Sequence, residues 1–203
     1  MIEKTPKWFI DKIISPACGG NEAVIRAFEA VPRRLFVDRA LWEQAYDDKA
    51  LPIGMGQTIS QPSTVAHMLD LLEVKPTDCV LEIGAGSGFV TALLSVMAKN
   101  VYAVERLPML FEKARSTVRS LGIRNAFFRS GDGGEGWSQY APFDKIIASA
   151  GADTLPKAFI EQIKDGGVIL LPLKNRLVRY CVKGGQLKEE IGVAVKFVDF
   201  VGS

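Results

Sequence analysis

From residue 77 onward, short apolar runs alternate with longer stretches in which apolar residues recur at helical spacing, the pattern of a parallel sheet wound with helices on both faces. It predicts strands over residues 79–83, 101–105, 126–130, 144–148 and 168–172, and helices over 89–98, 109–121 and 155–163. Two further strand-like runs, 177–182 and 193–201, are joined by Gly184-Gly185 and the charged stretch 187–190. They read as a hairpin closing the sheet edge antiparallel, with Lys188-Glu189-Glu190 as a solvated turn. Residues 1–50 read as amphipathic helix: Trp8, Phe9, Ile13 and Ile14, then Val24, Ile25 and Phe28, then Leu35 and Phe36. Gly19-Gly20 and Pro32 mark boundaries there. The chain is thus expected to be one α/β domain over 1–203, with a helical cap and a further segment over 1–76 and a core over 77–203.

A chain of 203 residues that is 48% hydrophobic can bury a sizeable core without disulfides or structural metal. Its 25 Lys and Arg nearly balance 23 Asp and Glu, so no long-range field is set up to collect nucleic acid or an anionic membrane. Cys18, Cys79 and Cys181 are odd in number and widely spaced, which points to neither a disulfide framework nor a zinc site; no metal is expected. The N-terminal residues mix charges into their apolar positions, unlike a signal peptide, and no run approaches about 20 apolar residues. A cytoplasmic monomer is the expectation.

The first core strand runs into Leu81-Glu82-Ile83-Gly84-Ala85-Gly86-Ser87-Gly88-Phe89, a glycine-rich turn opening a helix. Such a turn lets the backbone approach a ligand and points helix-terminal amides at it. A dinucleotide fingerprint would place its last glycine where Phe89 stands. Glu105 closes the second strand, about 20 residues past the first glycine, where an acid can accept both hydroxyls of a ribose; the alternative is an acid favoured by the next helix's dipole. The third strand ends in Gly131-Asp132-Gly133, a second acid that could receive an adenine amine or could simply shape a turn. Glycine loop, acid and acid at three successive strand ends, with no phosphate-binding motif, point to an adenosine cofactor lacking phosphates. S-adenosylmethionine fits that description.

Upstream lies LPIGMGQTISQP, residues 51–62, followed by an amphipathic helix carrying Val65, Met68, Leu69 and Leu72. Pro62 suits a first helical turn, so Gln61 reads as the N-cap and leaves Ser60 uncommitted; the alternative is that Ser60 caps the helix. Ser60 with the neighbouring helix-terminal amides would make an anion site suited to a carboxylate. His67 reads as a surface or packing residue, and Trp8, Trp42 and Trp137 as packing residues, with a place lining the site beside Asp132 the alternative for Trp137; Met55 reads as packing, with substrate contact the alternative.

These segments resemble the protein-L-isoaspartate O-methyltransferases. LPIGMGQTISQP is similar to that family's most distinctive segment, LEIGAGSGF to its cofactor loop and GDGGEGW to its GDG-x-x-G-W stretch. VPRRLFVD, IKDGGVILLPL and the FVDFVG ending extend the similarity over nearly the whole chain. The resemblance implies a doubly wound, seven-stranded mixed sheet of the class I, Rossmann-like methyltransferase type. It implies methyl transfer from S-adenosylmethionine to the free carboxylate of L-isoaspartyl or D-aspartyl residues in damaged proteins. Ser60 would match the active-site serine. Thr58, Ile59, Gly84, Gly86, Ser87, Gly88, Glu105, Arg106, Asp132 and Gly133 would surround the cofactor. Ser63, Gly134, Asp199 and Phe200 depart from the family's usual residues on the substrate side. Alternatives are a methyltransferase of the same fold acting on RNA or a small molecule, and a non-catalytic module that binds the cofactor.

Overall fold

The structure, a computed structural model, describes residues 4–174 and 176–194, with side chains described up to residue 190. Its main sheet has seven strands in the order β5-β4-β3-β6-β7-β8-β9. Strands β3 (Cys79–Ile83), β4 (Asn100–Glu105), β5 (Ala126–Ser130), β6 (Phe143–Ala148) and β7 (Ile163–Leu173) pair in parallel. Strands β8 (Arg176–Lys183) and β9 (Gln186–Ala194) close one edge antiparallel. Helices α5 (Phe89–Met97), α6 (Pro108–Ser120) and α7 (Lys157–Gln162) make the crossovers. The chain steps outward from β3 to β5, then returns to the other side of β3 for β6. Strand order therefore reverses at β3, the point where open α/β sheets hold ligands beyond their carboxyl ends.

Side-chain alternation builds a core on each face. Val80, Val101, Ile147, Val168 and Leu170 point into one apolar cluster with Phe89, Leu93 and Leu94 of α5. Their neighbours Leu81, Ile83, Tyr102, Val104, Ile146, Ile169 and Leu171 join Trp137, Phe143 and Phe159 in the other. Burial on both faces explains why these strands read as continuous apolar runs.

The N-terminal segment packs on the first cluster through Phe9, Ile14, Val24, Phe28 and Phe36. It begins with α1 (Lys7–Phe9), a π-helical turn Ile10–Ile14 and α2 (Ser15–Ala17). Pro16 has no amide to donate, and the ladder widens before it, Ser15 N–H bonding the Ile10 carbonyl. Helix α3 (Glu22–Ala30) is capped by the Asn21 side chain, which accepts from the Ala23 and Val24 amides. Two 3-10 turns, Arg33–Phe36 and Arg39–Gln44, lead to a two-stranded hairpin, β1 (Leu51–Gly54) and β2 (Gln57–Ile59), and then α4 (Pro62–Leu72). Strands this short carry no readable period, so the pattern along the chain did not show the hairpin. Trp8 and Leu35, expected to pack, are exposed.

One expectation at the C-terminal end changes. The charged run is no turn: Gly184-Gly185 alone turns the chain, and Lys188, Glu189 and Glu190 lie in β9 opposite Cys181, Tyr180 and Arg179. Glu190 meets Arg179 at 2.9 Å and Glu189 accepts from the Tyr180 hydroxyl at 2.9 Å, so these polar residues are cross-strand partners. The expected strand 193–201 lies almost wholly outside the described residues, as do Asp199 and Phe200.

Candidate active site

A cavity of about 460 Å³ opens at the carboxyl ends of β3, β4 and β6 and is walled on its other side by the β1–β2 hairpin and the start of α4. Ten of the expected site residues line it: Thr58, Ile59, Ser60, Gly84, Gly86, Ser87, Glu105, Arg106, Asp132 and Gly133. Gly88 does not. It stands at the N-terminus of α5 with φ of 84°, and a Cβ there would lie 3.1 Å from both Ala114 Cβ and Val118 Cγ2. Its bareness admits α6, so its place is in helix packing.

Gly84 and Gly86 also hold left-handed backbone, with φ of 79° and 55°. A Cβ at Gly86 would come within 3.4 Å of Ile53 Cδ1, so a side chain there would fill the space between loop and hairpin. Glu105 is almost fully buried and each of its carboxylate oxygens accepts a backbone amide, Gly86 N–H at 2.8 Å and Leu107 N–H at 2.8 Å. The acid thereby ties β4 to the glycine loop. Each oxygen keeps a further lone pair for a hydroxyl. Ser87 Oγ accepts from Phe89 N–H at 3.3 Å, and its own proton remains free to be donated.

Beneath the loop, Glu82 is wholly enclosed and accepts from Thr91 Oγ1 at 2.5 Å, while its other oxygen has no partner among the described residues. Burial raises its carboxyl to about 7; the Thr91 bond opposes the rise and the Glu105 charge adds to it. Asp132 shapes its own turn, Oδ1 accepting from Gly134 N–H at 2.8 Å, and it also faces the cavity. The turn reading of that acid therefore holds, and shaping the turn does not withdraw the side chain from the cavity. Two side chains brace its loop: Arg129 Nη2 donates to the Gly136 carbonyl at 2.8 Å, and Gln162 bonds Trp137 N–H and the Glu135 carbonyl.

On the hairpin side, Gln61 is the N-cap of α4, and Ser60 lies just outside the helix. Among the described residues the Ser60 hydroxyl has no hydrogen-bond partner. The expected anion site is modified by Asp48, whose Oδ1 takes the Ser63 amide at 2.9 Å and whose Oδ2 accepts from Gln61 Nε2 at 3.0 Å. The helix-terminal amide of Ser63 is therefore already matched to an acid, so of the expected anion site the Ser60 hydroxyl is what remains.

Arg33 holds this segment from below. Its guanidinium is fully buried and donates to the carbonyls of Ala45 at 2.6 Å, Lys49 at 3.1 Å and Ser60 at 3.0 Å. Burial lowers it to about 10, with Asp48 and Asp47 opposing the fall. Neither Arg33 nor the lining residues Ile53, Gln57, Thr64, Ser149 and Ala150 had been singled out. Ser149 and Ala150 follow β6 directly, and the rule that ligands bind beyond strand ends would have found them. Met55, expected to pack, lines the cavity and is exposed. His67 and Trp137 do not line it. Among the described residues no group of three His, Cys, Asp or Glu side chains could hold a metal ion.

Comparison with known proteins places the chain in a family. The family model for protein-L-isoaspartate(D-aspartate) O-methyltransferase matches residues 6–203. The protein-L-isoaspartate O-methyltransferase of Syntrophus aciditrophicus is 44% identical over 189 residues, 90% of this chain and 87% of that protein. That of Dictyoglomus turgidum is 42% identical over 187 residues, 90% of this chain and 84% of that protein. A solved protein-L-isoaspartate O-methyltransferase superimposes with a TM-score of 0.86 at 27% identity, over 96% of this chain and 64% of that one. A Plasmodium falciparum structure described as a putative member, in complex with S-adenosyl-L-homocysteine, shares the fold with a TM-score of 0.83 at 21% identity, over 98% and 99% of the two chains. The chain belongs to the protein-L-isoaspartate(D-aspartate) O-methyltransferase family.

Proposed function

We propose that the chain uses this cavity to transfer a methyl group from S-adenosylmethionine to the free carboxylate of an L-isoaspartyl or D-aspartyl residue in a damaged protein. The observation that carries the reading is that the anchored Glu105 carboxylate and the Ser60 hydroxyl, which has no partner among the described residues, line one cavity. The bare, left-handed Gly84 and Gly86 give a cofactor room against the backbone, and Glu105 suits its ribose hydroxyls. Thr58, Ile59 and Ser87 would wall its amino-acid end, and Asp132 with Gly133 its adenine. Arg106 lines the cavity beside Glu105. When bound, S-adenosylmethionine supplies an electrophilic methyl group on a sulfonium.

The chain's residues have a modest task. A carboxylate with pKa near about 4 is already a nucleophile at neutral pH, so no general base is required and the absence of a His–Asp pair is no obstacle. Ser60 donates to one carboxylate oxygen and orients the other. Charge disappears as an anion meets a cation, so walls that exclude water favour the reaction, and here they are Ile53, Ile59, Ile83 and Phe89. Residues 1–203 act as one methyltransferase domain in this reading, a cytoplasmic monomer with damaged proteins as substrates. No helix among the described residues is long and apolar enough to cross a membrane.

The test is incubation with methyl-labelled S-adenosylmethionine and either an isoaspartyl peptide or total RNA. Base-labile methyl ester on the peptide is the expected product. Label confined to RNA, or none on either, would overturn the reading.

A further inference from the structure

Met55 is the apex of the β1–β2 hairpin. It sits between Gly54, with φ of 97°, and Gly56, with φ of 71°, and itself holds φ of 54°, left-handed backbone that disfavours a residue with a side chain. Steric room does not demand the glycines, since a Cβ at either would meet nothing within 4 Å. They serve to turn the chain, and the apex projects into open space. The arms below it are fixed, Ile53 and Ile59 each being 4% exposed, with Ile53 resting on Gly86.

At the end of this rigid support, Met55 is 54% exposed. Among the described residues it is the one large apolar side chain that is both exposed and part of the cavity wall. The charged side chains of the wall, Glu105, Arg106 and Asp132, stand at or just beyond the ends of the sheet strands β4 and β5; the hairpin contributes none. A thioether on three rotatable bonds can cover apolar surfaces of varied shape. The same hairpin carries Ser60 just beyond its second strand, so Met55 and Ser60 stand at the two ends of one wall of the cavity.

We propose that Met55 determines specificity, gripping an apolar side chain that flanks the reacting residue of the peptide substrate. The proposal rests on carboxyl methylation being the activity of this cavity. It predicts that flanking residues are chosen by apolar contact at the lip, with flanking charge gaining nothing from the hairpin.

The experiment compares two isoaspartyl peptides of equal length and net charge, with Leu or Ser on each side of the isoaspartyl residue. Wild type is measured first; no methyl ester on either peptide would remove the activity reading and the Met55 role with it. With activity present, wild type should favour the Leu peptide in kcat/KM. Met55→Ser should raise KM for the Leu peptide about tenfold and bring the two peptides together, the change falling on KM rather than kcat. Met55→Gly, which also relieves the left-handed backbone, should behave alike. The dissociation constant for S-adenosyl-L-homocysteine, measured by calorimetry, should be unmoved. An unaltered Leu-to-Ser ratio, equal losses on both peptides, or weakened S-adenosyl-L-homocysteine binding would overturn the role while leaving carboxyl methylation standing.

Discussion

Arg33 and Ser60, 27 residues apart, meet through a guanidinium-to-carbonyl hydrogen bond of 3.0 Å that fixes the main chain from which the Ser60 hydroxyl projects. The same guanidinium holds two more carbonyls, so a lysine, with one ammonium on a flexible stem, cannot replace it. Arg33→Lys should cost roughly 3 kcal/mol of stability, since buried carbonyls lose charged donors. At temperatures where the variant stays folded, its turnover should approach that of Ser60→Ala. The latter should lose about 10- to 100-fold in kcat/KM on an isoaspartyl peptide, the worth of one hydrogen bond to a charged group. Thermal denaturation and steady-state kinetics on both variants check this; an Arg33→Lys protein as stable and active as wild type would contradict it.

Glu105 makes a separate prediction because its two oxygens bond the backbone and face the cavity together. Glu105→Gln keeps the shape but removes the charge and turns one acceptor into a donor facing an amide. The affinity for S-adenosyl-L-homocysteine should fall by about 2 kcal/mol, or roughly 30-fold, from the weakened bonds to a ribose and a loosened glycine loop. Titration calorimetry reads the constant directly. Unchanged affinity would mean that this acid only braces the loop.

The strand-end residues were legible because each lies where its own strand stops, and a strand's end can be read locally. Glu105, Asp132 and the glycine loop follow from that rule alone. Arg33 was not legible: its three acceptors lie 12, 16 and 27 residues downstream, and nothing in VPRR says that the first arginine turns inward. Asp48 caps α4 from 15 residues away for the same reason. Gly88 shows a different limit, since a bare position can admit a ligand or a neighbouring helix, and only the packing of Ala114 and Val118 decides between them. The polar run in β9 was misread because an edge strand with an exposed face need not look apolar.

Glu82 predicts a pH signature. Burial pushes its carboxyl up to about 7 in the folded chain from an ordinary value of 4.5, so the folded state binds more protons between those values. The group's contribution is therefore fully present below about pH 4.5 and is lost as pH rises to 7, by up to roughly 3 kcal/mol. Glu82→Gln, which can still accept from Thr91, should remove that slope. Denaturant unfolding of both proteins from pH 4.5 to 8 should show the variant gaining on wild type as pH rises. A difference that stays constant across the range would show that Glu82 does not titrate there.

Gly86 and Gly88 lie two residues apart in one loop, yet their substitutions should separate binding from stability. Alanine at Gly88 adopts a left-handed backbone, about 1–2 kcal/mol, and presses on Ala114 and Val118 at 3.1 Å, an overpacking of about 1–3 kcal/mol. A loss on the order of 3 kcal/mol should lower Tm by roughly 6–12 °C. Alanine at Gly86 carries similar backbone strain but meets only the Ile53 methyl at 3.4 Å, a flexible tip that can yield. Its methyl group instead enters the cavity where the loop faces the hairpin, so S-adenosyl-L-homocysteine affinity should fall further for Gly86→Ala than for Gly88→Ala, while Tm falls less. Calorimetric titration beside thermal melts tests the pair. The reverse ranking would place Gly88 at the ligand and overturn its assignment to helix packing.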